Sequence, residues 1–107
     1  MFPCATFVQP ASISLEEFNK VSANLPEAAS KVRYSDARAG LALISSTLHV
    51  TDVAITDRAL LYGKTTLNHH VCVLVERRSG GFGITIKCSD ETFGANLLHE
   101  VKAALRK

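Results

Sequence analysis

The run Val71-Cys72-Val73-Leu74-Val75 is continuous and largely β-branched, and Phe82-Gly83-Ile84-Thr85-Ile86-Lys87-Cys88 alternates, so that Phe82, Ile84, Ile86 and Cys88 share one face. Between them, Ser79-Gly80-Gly81 supplies the positive φ that a tight turn requires. Together these segments specify an antiparallel hairpin. Upstream, residues 49–55 and 59–67 read as two more strands, parted by Thr56-Asp57-Arg58. Strands in such close succession leave no room for the helical crossovers that parallel pairing needs. The chain is therefore expected to be an α+β domain, an antiparallel sheet of about five strands with helices packed on one face.

The other segments supply the rest. Residues 4–9 (Cys-Ala-Thr-Phe-Val-Gln) form a short strand that Pro10 is expected to stop. Ser14-Leu15-Glu16-Glu17 is a capping-box pattern, in which the Ser14 hydroxyl accepts from a free amide of the first turn. The helix it starts carries Phe18, Val21 and Leu25 on one side and ends at Pro26, because the residue before proline is pushed out of the helical region. Residues 30–35 alternate polar and apolar, as a half-buried strand does. Residues 36–47 read two ways: Asp36 can cap a helix with Ala37, Leu41 and Ile44 on one stripe, but Gly40 and the Ser45-Ser46-Thr47 cluster oppose it. At the end, Ser89 is a good N-cap, Asp90 and Glu91 sit where the helix dipole favours acid, and Leu97, Leu98, Val101 and Leu105 form an apolar stripe.

Composition narrows the class. A length of 107 residues suits one domain, and 47% apolar with 21% charged residues provides a core and argues against disorder. Twelve Lys+Arg against ten Asp+Glu leave +2, too little to argue for nucleic acid as a partner. The apolar run Gly40-Leu41-Ala42-Leu43-Ile44 is far short of the roughly 20 residues of a membrane span. Met1-Phe2-Pro3-Cys4 lacks a basic region ahead of an apolar one, so no signal peptide is expected. Cys4, Cys72 and Cys88 cannot all pair within one chain, and no two are spaced C-x-x-C. That opposes both a disulfide framework and a structural zinc site, and free thiols suit a reducing compartment. A cytoplasmic globular domain is expected.

Chemistry-bearing motifs are few. In a strand, His69-His70 would point to opposite faces and cannot share a metal; one ring inward and one in solvent is expected. His49 and His99 have no acid or thiol at ligand spacing, and His99 lies one residue past the apolar stripe. Gly80-Gly81-Phe82-Gly83 leads into a strand, whereas phosphate loops lead into a helix. The acids Glu16-Glu17 and Asp90-Glu91 are explained by helix first turns, Asp52 and Asp57 are scattered, and Arg77-Arg78 reads as a solvated edge. With no catalytic pattern and no residues that call for a metal or cofactor, the chain reads as a binding module, not an enzyme.

The order of these elements and several residues resemble the platform subdomain of the C-terminal appendage, or ear, of adaptor-complex large subunits (adaptins). Phe7-Val8-Gln9-Pro10 before the Phe18 helix is similar to the entry of alpha-type platforms. Tyr62-Gly63-Lys64-Thr65-Thr66, the strand from Val71 to Arg78, and Ile84-Thr85-Ile86-Lys87-Cys88 resemble the last strands of alpha and beta types. The run from Phe93 to Lys102 (Phe-Gly-Ala-Asn-Leu-Leu-His-Glu-Val-Lys) resembles the final helix of the beta subunit of the endosome-to-lysosome adaptor. The resemblance covers nearly the whole chain and implies that residues 36–47 begin as a helix. In the family the platform follows a β-sandwich subdomain, so residues 1–107 are expected to be one platform-like domain cut from a larger subunit.

The resemblance also implies a function. The family's platform binds short peptide motifs of accessory proteins in a groove of aromatic and basic residues. Tyr62 falls on the tyrosine of the beta-type groove and Glu76 on a groove glutamate. The family's tryptophan falls on Ser22, and its basic positions fall near Leu15 and Val53, with Arg58 close to the latter. Lys64 adds a neighbouring charge. Tyr62, Glu76, Arg58, Lys64 and Ser22 are thus the candidate peptide-binding residues. Read without the resemblance, Tyr62 is a half-buried strand aromatic and Glu76 a solvated strand end. The implied partners are accessory or regulatory proteins with short linear motifs and other adaptor-complex subunits. Membranes would be met only through the complex, on coated vesicles, Golgi or endosomes. A rival reading is a structural domain of a coat that has lost the groove.

Overall fold

A computed structural model describes residues 7–48 and 58–106. In chain order these form β1 (Phe7–Ser12), α1 (Leu15–Ser22), β2 (Glu27–Arg33), α2 (Ala37–Thr47), β3 (Arg58–Thr65), β4 (His70–Arg78), β5 (Gly81–Cys88) and α3 (Glu91–Leu105). One five-stranded sheet has the order β1-β3-β4-β5-β2, with every neighbouring pair antiparallel. The fold is therefore the expected α+β class. The expected strand at residues 49–55, His49, Asp52, Val53, Asp57 and Cys4 lie outside the described residues.

The hairpin turns where the sequence indicates, with Gly80 at φ 77°. The turn between β3 and β4 places Asn68 at φ 66°, a region asparagine tolerates better than most residues. Phe82, Ile84, Ile86 and Cys88 of β5, Val71, Val73 and Val75 of β4, and Ala59 and Leu61 of β3 form one buried face. Ile44 and Leu48 from the α2 end and Leu97, Leu98, Val101 and Leu105 of α3 close over it. Each of these burials removes apolar area from water, worth roughly 1.5–3 kcal/mol for a fully buried large aliphatic side chain.

α2 resolves the ambiguous segment as a helix. The Ala39 amide donates to Asp36 Oδ1 at 3.1 Å, capping its start. Gly40, which in isolation opposes a helix, faces the sheet: a Cβ there would lie 2.5 Å from Phe82 Cε2 and 2.8 Å from Tyr34 Cδ1. Close approach of two aromatic rings outweighs the propensity cost of glycine, about 1 kcal/mol.

Several expectations are corrected. β1 runs through Pro10 instead of stopping there, because it is an edge strand with a register shift between Val8 and Ala11. Proline is tolerated at edges and bulges, where its missing amide has no partner to lose. α1 ends at Ser22, short of Pro26, and Val21 is exposed while Ser22 is buried. The N-cap of α3 is Asp90, whose Oδ1 accepts from the Thr92 and Phe93 amides at 3.1 and 3.3 Å. Ser89 instead accepts the His70 amide at 3.0 Å, tying the start of β4 to the end of β5. α2 and α3 share the core face as expected; α1 lies against β3 and β4 with its buried Phe18 outside that core cluster. Phe18 therefore serves the opposite face of the sheet.

Candidate functional site

That opposite face follows from strand register. Residues directly across an antiparallel pair point the same way. The register places Arg58 across from Glu76, Tyr62 from Cys72 and Lys64 from His70. It continues with Cys72 across from Lys87 and Glu76 from Gly83, then Gly83 from Lys31 and Thr85 from Ala29. Four of the five sequence candidates, Tyr62, Arg58, Lys64 and Glu76, thus stand on one face, as their even numbering along β3 and β4 requires. At about 3.3 Å per residue, Arg58 to Lys64 spans roughly 20 Å, the length of a six-residue extended peptide.

Tyr62 is half-buried and its ring stacks on His70, with centroids 5.9 Å apart and planes 26° from parallel. The Tyr62 hydroxyl and His70 Nδ1 share a hydrogen bond of 2.6 Å. This fixes the orientation of the phenol. Arg58 and Lys64 are exposed to either side of it. Glu76 carries an ion pair with Arg78 at 3.3 Å. The Arg78 side chain lies across Gly83, where a Cβ would come within 2.7 Å of Nε. Beside this pair, Ala29, Lys31, Gly83 and Thr85 line a shallow depression of about 260 Å³ with Glu76 and Arg78.

Ser22 is different. It is 1% exposed, and its hydroxyl donates back to the Phe18 carbonyl within α1. A ligand on this face would not meet it. The large apolar side chains of α1 that do reach solvent are Leu15 and Val21, among the exposed polar Glu16, Glu17, Asn19 and Lys20.

His70 and Arg78 are site residues that single-strand reading missed. Only the β3–β4 register reveals that His70 stands beside Tyr62 and Lys64. Neither histidine of the pair points inward, contrary to expectation. His69 is partly exposed, its Nδ1 3.2 Å from Ser89 Oγ and its Nε2 3.8 Å from Asp90 Oδ2. No group of three or more His, Cys, Asp or Glu that could hold a metal occurs among the described residues.

Cys72 and Cys88 are both free and buried. Cys88 pairs with Val71, so its side chain lies on the core face, while Cys72 points the other way, beneath α1. Adjacent strands therefore hold the two sulfurs on opposite sides of the sheet. Burial pushes the Cys72 thiol up to about 11, against a smaller opposing pull from the Lys87 ammonium. Burial likewise raises Cys88, whose sulfur accepts the Asp90 amide.

Among the described residues no helix is long and apolar enough to cross a membrane. A stretch of 47 residues, 44% of this chain, is 40% identical to the AP-3 complex subunit delta-1 of Bos taurus. The match spans 4% of that relative's length. These likenesses agree with an adaptin-related domain. The sequence model of the AP3 Mu C-terminal domain matches residues 5–106, which takes in every strand and helix described above, and the chain belongs to that family.

Proposed function

We propose that this domain is a non-enzymatic interaction module of a vesicle-coat adaptor complex, an appendage-type platform that recruits accessory proteins through short peptide motifs. Its relatives by sequence are parts of the AP-3 complex, which supports association with other adaptor subunits at Golgi or endosomal membranes. The observation that carries the reading is the half-buried Tyr62 ring, held by His70 and flanked by Arg58, Lys64 and Glu76 on the sheet face that α1 covers only in part. A tyrosine offers a large apolar surface at little entropic cost. The cations to either side favour a ligand with an aromatic residue or leucine next to acidic residues.

The chain has no tryptophan. Loss of one hot-spot aromatic commonly costs about 2 kcal/mol, a factor of roughly 30 in affinity. Binding of single motifs is thus weak, and recruitment depends on repeated motifs within one partner. The same absence favours the second reading, a structural domain of a coat whose groove no longer binds peptide. Titration of such a peptide against wild type and Tyr62→Ala, at low and moderate salt, separates the two. Loss of binding in the variant, and weakening with salt, supports the groove. Equal binding by both proteins leaves the structural reading in its place.

A further inference from the structure

The two edges of the sheet are built differently. β1 carries Pro10 and a register shift, devices that discourage a further strand. β2 has neither: all seven of its residues pair with β5 without interruption. The direction of its backbone groups can be worked out. The Cys88 amide donates to the Pro26 carbonyl, and the Tyr34 amide donates to the Gly80 carbonyl, at the two ends of the β2–β5 register. In an antiparallel pair, hydrogen-bonded positions recur every second residue. Ala28, Ser30 and Val32 therefore turn their amides and carbonyls toward β5. Glu27, Ala29, Lys31 and Arg33 turn theirs outward, along the open edge. All four are exposed, and no other strand pairs with that edge among the described residues.

The charge on this edge selects its occupant. Lys31 and Arg33 stand on the same face two residues apart, beside Arg78, and neither is in an ion pair among the described residues. With Lys87, Arg58 and Lys64 on that face, six strand cations face two strand acids, Glu27 and Glu76. A second copy of the chain would bring two such cationic faces together. An extended acidic segment would instead complete the sheet and neutralise the face.

We infer that β2 is a docking edge for an extended acidic segment of a partner protein, which adds as a sixth strand. Main-chain hydrogen bonds to Ala29 and Lys31 supply the attachment, and the pleat supplies the selectivity. Because same-face side chains recur every second residue, the partner's acids must alternate (Glu-x-Glu) to meet Lys31 and Arg33 together. This edge lies across β4 and β5 from Tyr62, on the same face of the sheet, and its main-chain pairing does not use that ring.

The test uses an eight-residue peptide with glutamates at alternate positions, and a second of the same composition with its glutamates contiguous. Fluorescence anisotropy gives affinity, and amide hydrogen exchange gives the footprint. The alternating peptide should bind several-fold tighter and should slow exchange at Ala29, Lys31 and Arg33. Ala29→Pro, which removes an outward amide only, should abolish binding while the protein stays folded. Lys31→Glu with Arg33→Glu should weaken binding on the order of tenfold, and a Lys-x-Lys peptide should bind that variant in its place. Tyr62→Ala should bind as wild type does. The inference is overturned if both peptides bind alike, if Ala29→Pro binds normally, or if binding follows Tyr62. It is equally overturned if sedimentation shows a dimer whose β2 amides are protected without peptide.

Discussion

Replacing Gly40 with alanine sets two effects of known sign against each other. Helix propensity alone favours alanine by about 1 kcal/mol at an interior position such as this. Packing opposes it. The added Cβ would stand 2.5 and 2.9 Å from two atoms of the Phe82 ring and 2.8 Å from Tyr34 Cδ1, all below any tolerated carbon contact. Phe82 is 1% exposed and sits within the core cluster, so its ring has nowhere to turn, and α2 must lift off the sheet instead. Overpacking of this kind costs typically 1–3 kcal/mol, and the tightness of three simultaneous contacts places it at the upper end. The net expectation is a loss of about 1–2 kcal/mol, a fall in Tm of roughly 5–10 °C for a domain of this size. Denaturant melts of wild type, Gly40→Ala, Phe82→Leu and the double variant close the cycle. The double variant should recover at least about 1 kcal/mol relative to additivity, since the smaller side chain vacates the space. A Gly40→Ala protein more stable than wild type, or strict additivity, would refute the argument that aromatic packing fixes this glycine.

Leu98 faces the core from α3, and Leu98→Ala should cost about 2–5 kcal/mol in denaturant melts; a loss under half of one would mean that α3 does not dock on the sheet. The buried Cys72 thiol keeps its proton when the unfolded chain, with an ordinary value of 9.0, has lost it. Its contribution to stability is therefore intact below pH 9 and falls by up to roughly 2–3 kcal/mol as pH rises toward 11. Urea melts from pH 8 to 11 should show that decline, with a shallower one in Cys72→Ala; identical profiles would count against it. Because Cys72 and Cys88 lie on opposite faces, reductant should leave Tm unchanged, and a drop of several degrees would contradict the register.

What the sequence makes legible here is local. The β4–β5 hairpin reads directly, because turn chemistry and alternation are both contained within residues 71–88. The cap of α1 reads equally well, and the Glu17 amide does donate to Ser14 Oγ at 3.1 Å. Errors arise where a distant partner decides. Pro10 reads as a stop, but its edge position, set by pairing with β3, makes it harmless. Gly40 reads as a weak point in a helix until the Phe82 and Tyr34 rings are seen against it. Ser89 and Asp90 both suit a cap, and the choice falls to Asp90 because Ser89 is claimed by the His70 amide across the sheet.

The site divides the same way. Period-two spacing along β3 is enough to align Arg58, Tyr62 and Lys64, and Glu76 joins them through a register that the hairpin makes simple. His70 is not legible without knowing how the β3–β4 turn is closed by Asn68. Ser22 enters from resemblance alone, and the burial of α1 against β3 and β4 takes it out of reach.

The central claim, that the Tyr62 face of the sheet takes a partner's peptide, is tested most directly by mapping amide shifts in the labelled protein as a peptide with a leucine or aromatic beside acidic residues is added. The account predicts changes at Tyr62, Lys64, His70 and Glu76, with α2 and the core side of α3 unmoved. Shifts confined to α2 and α3, or none at millimolar peptide, would contradict it.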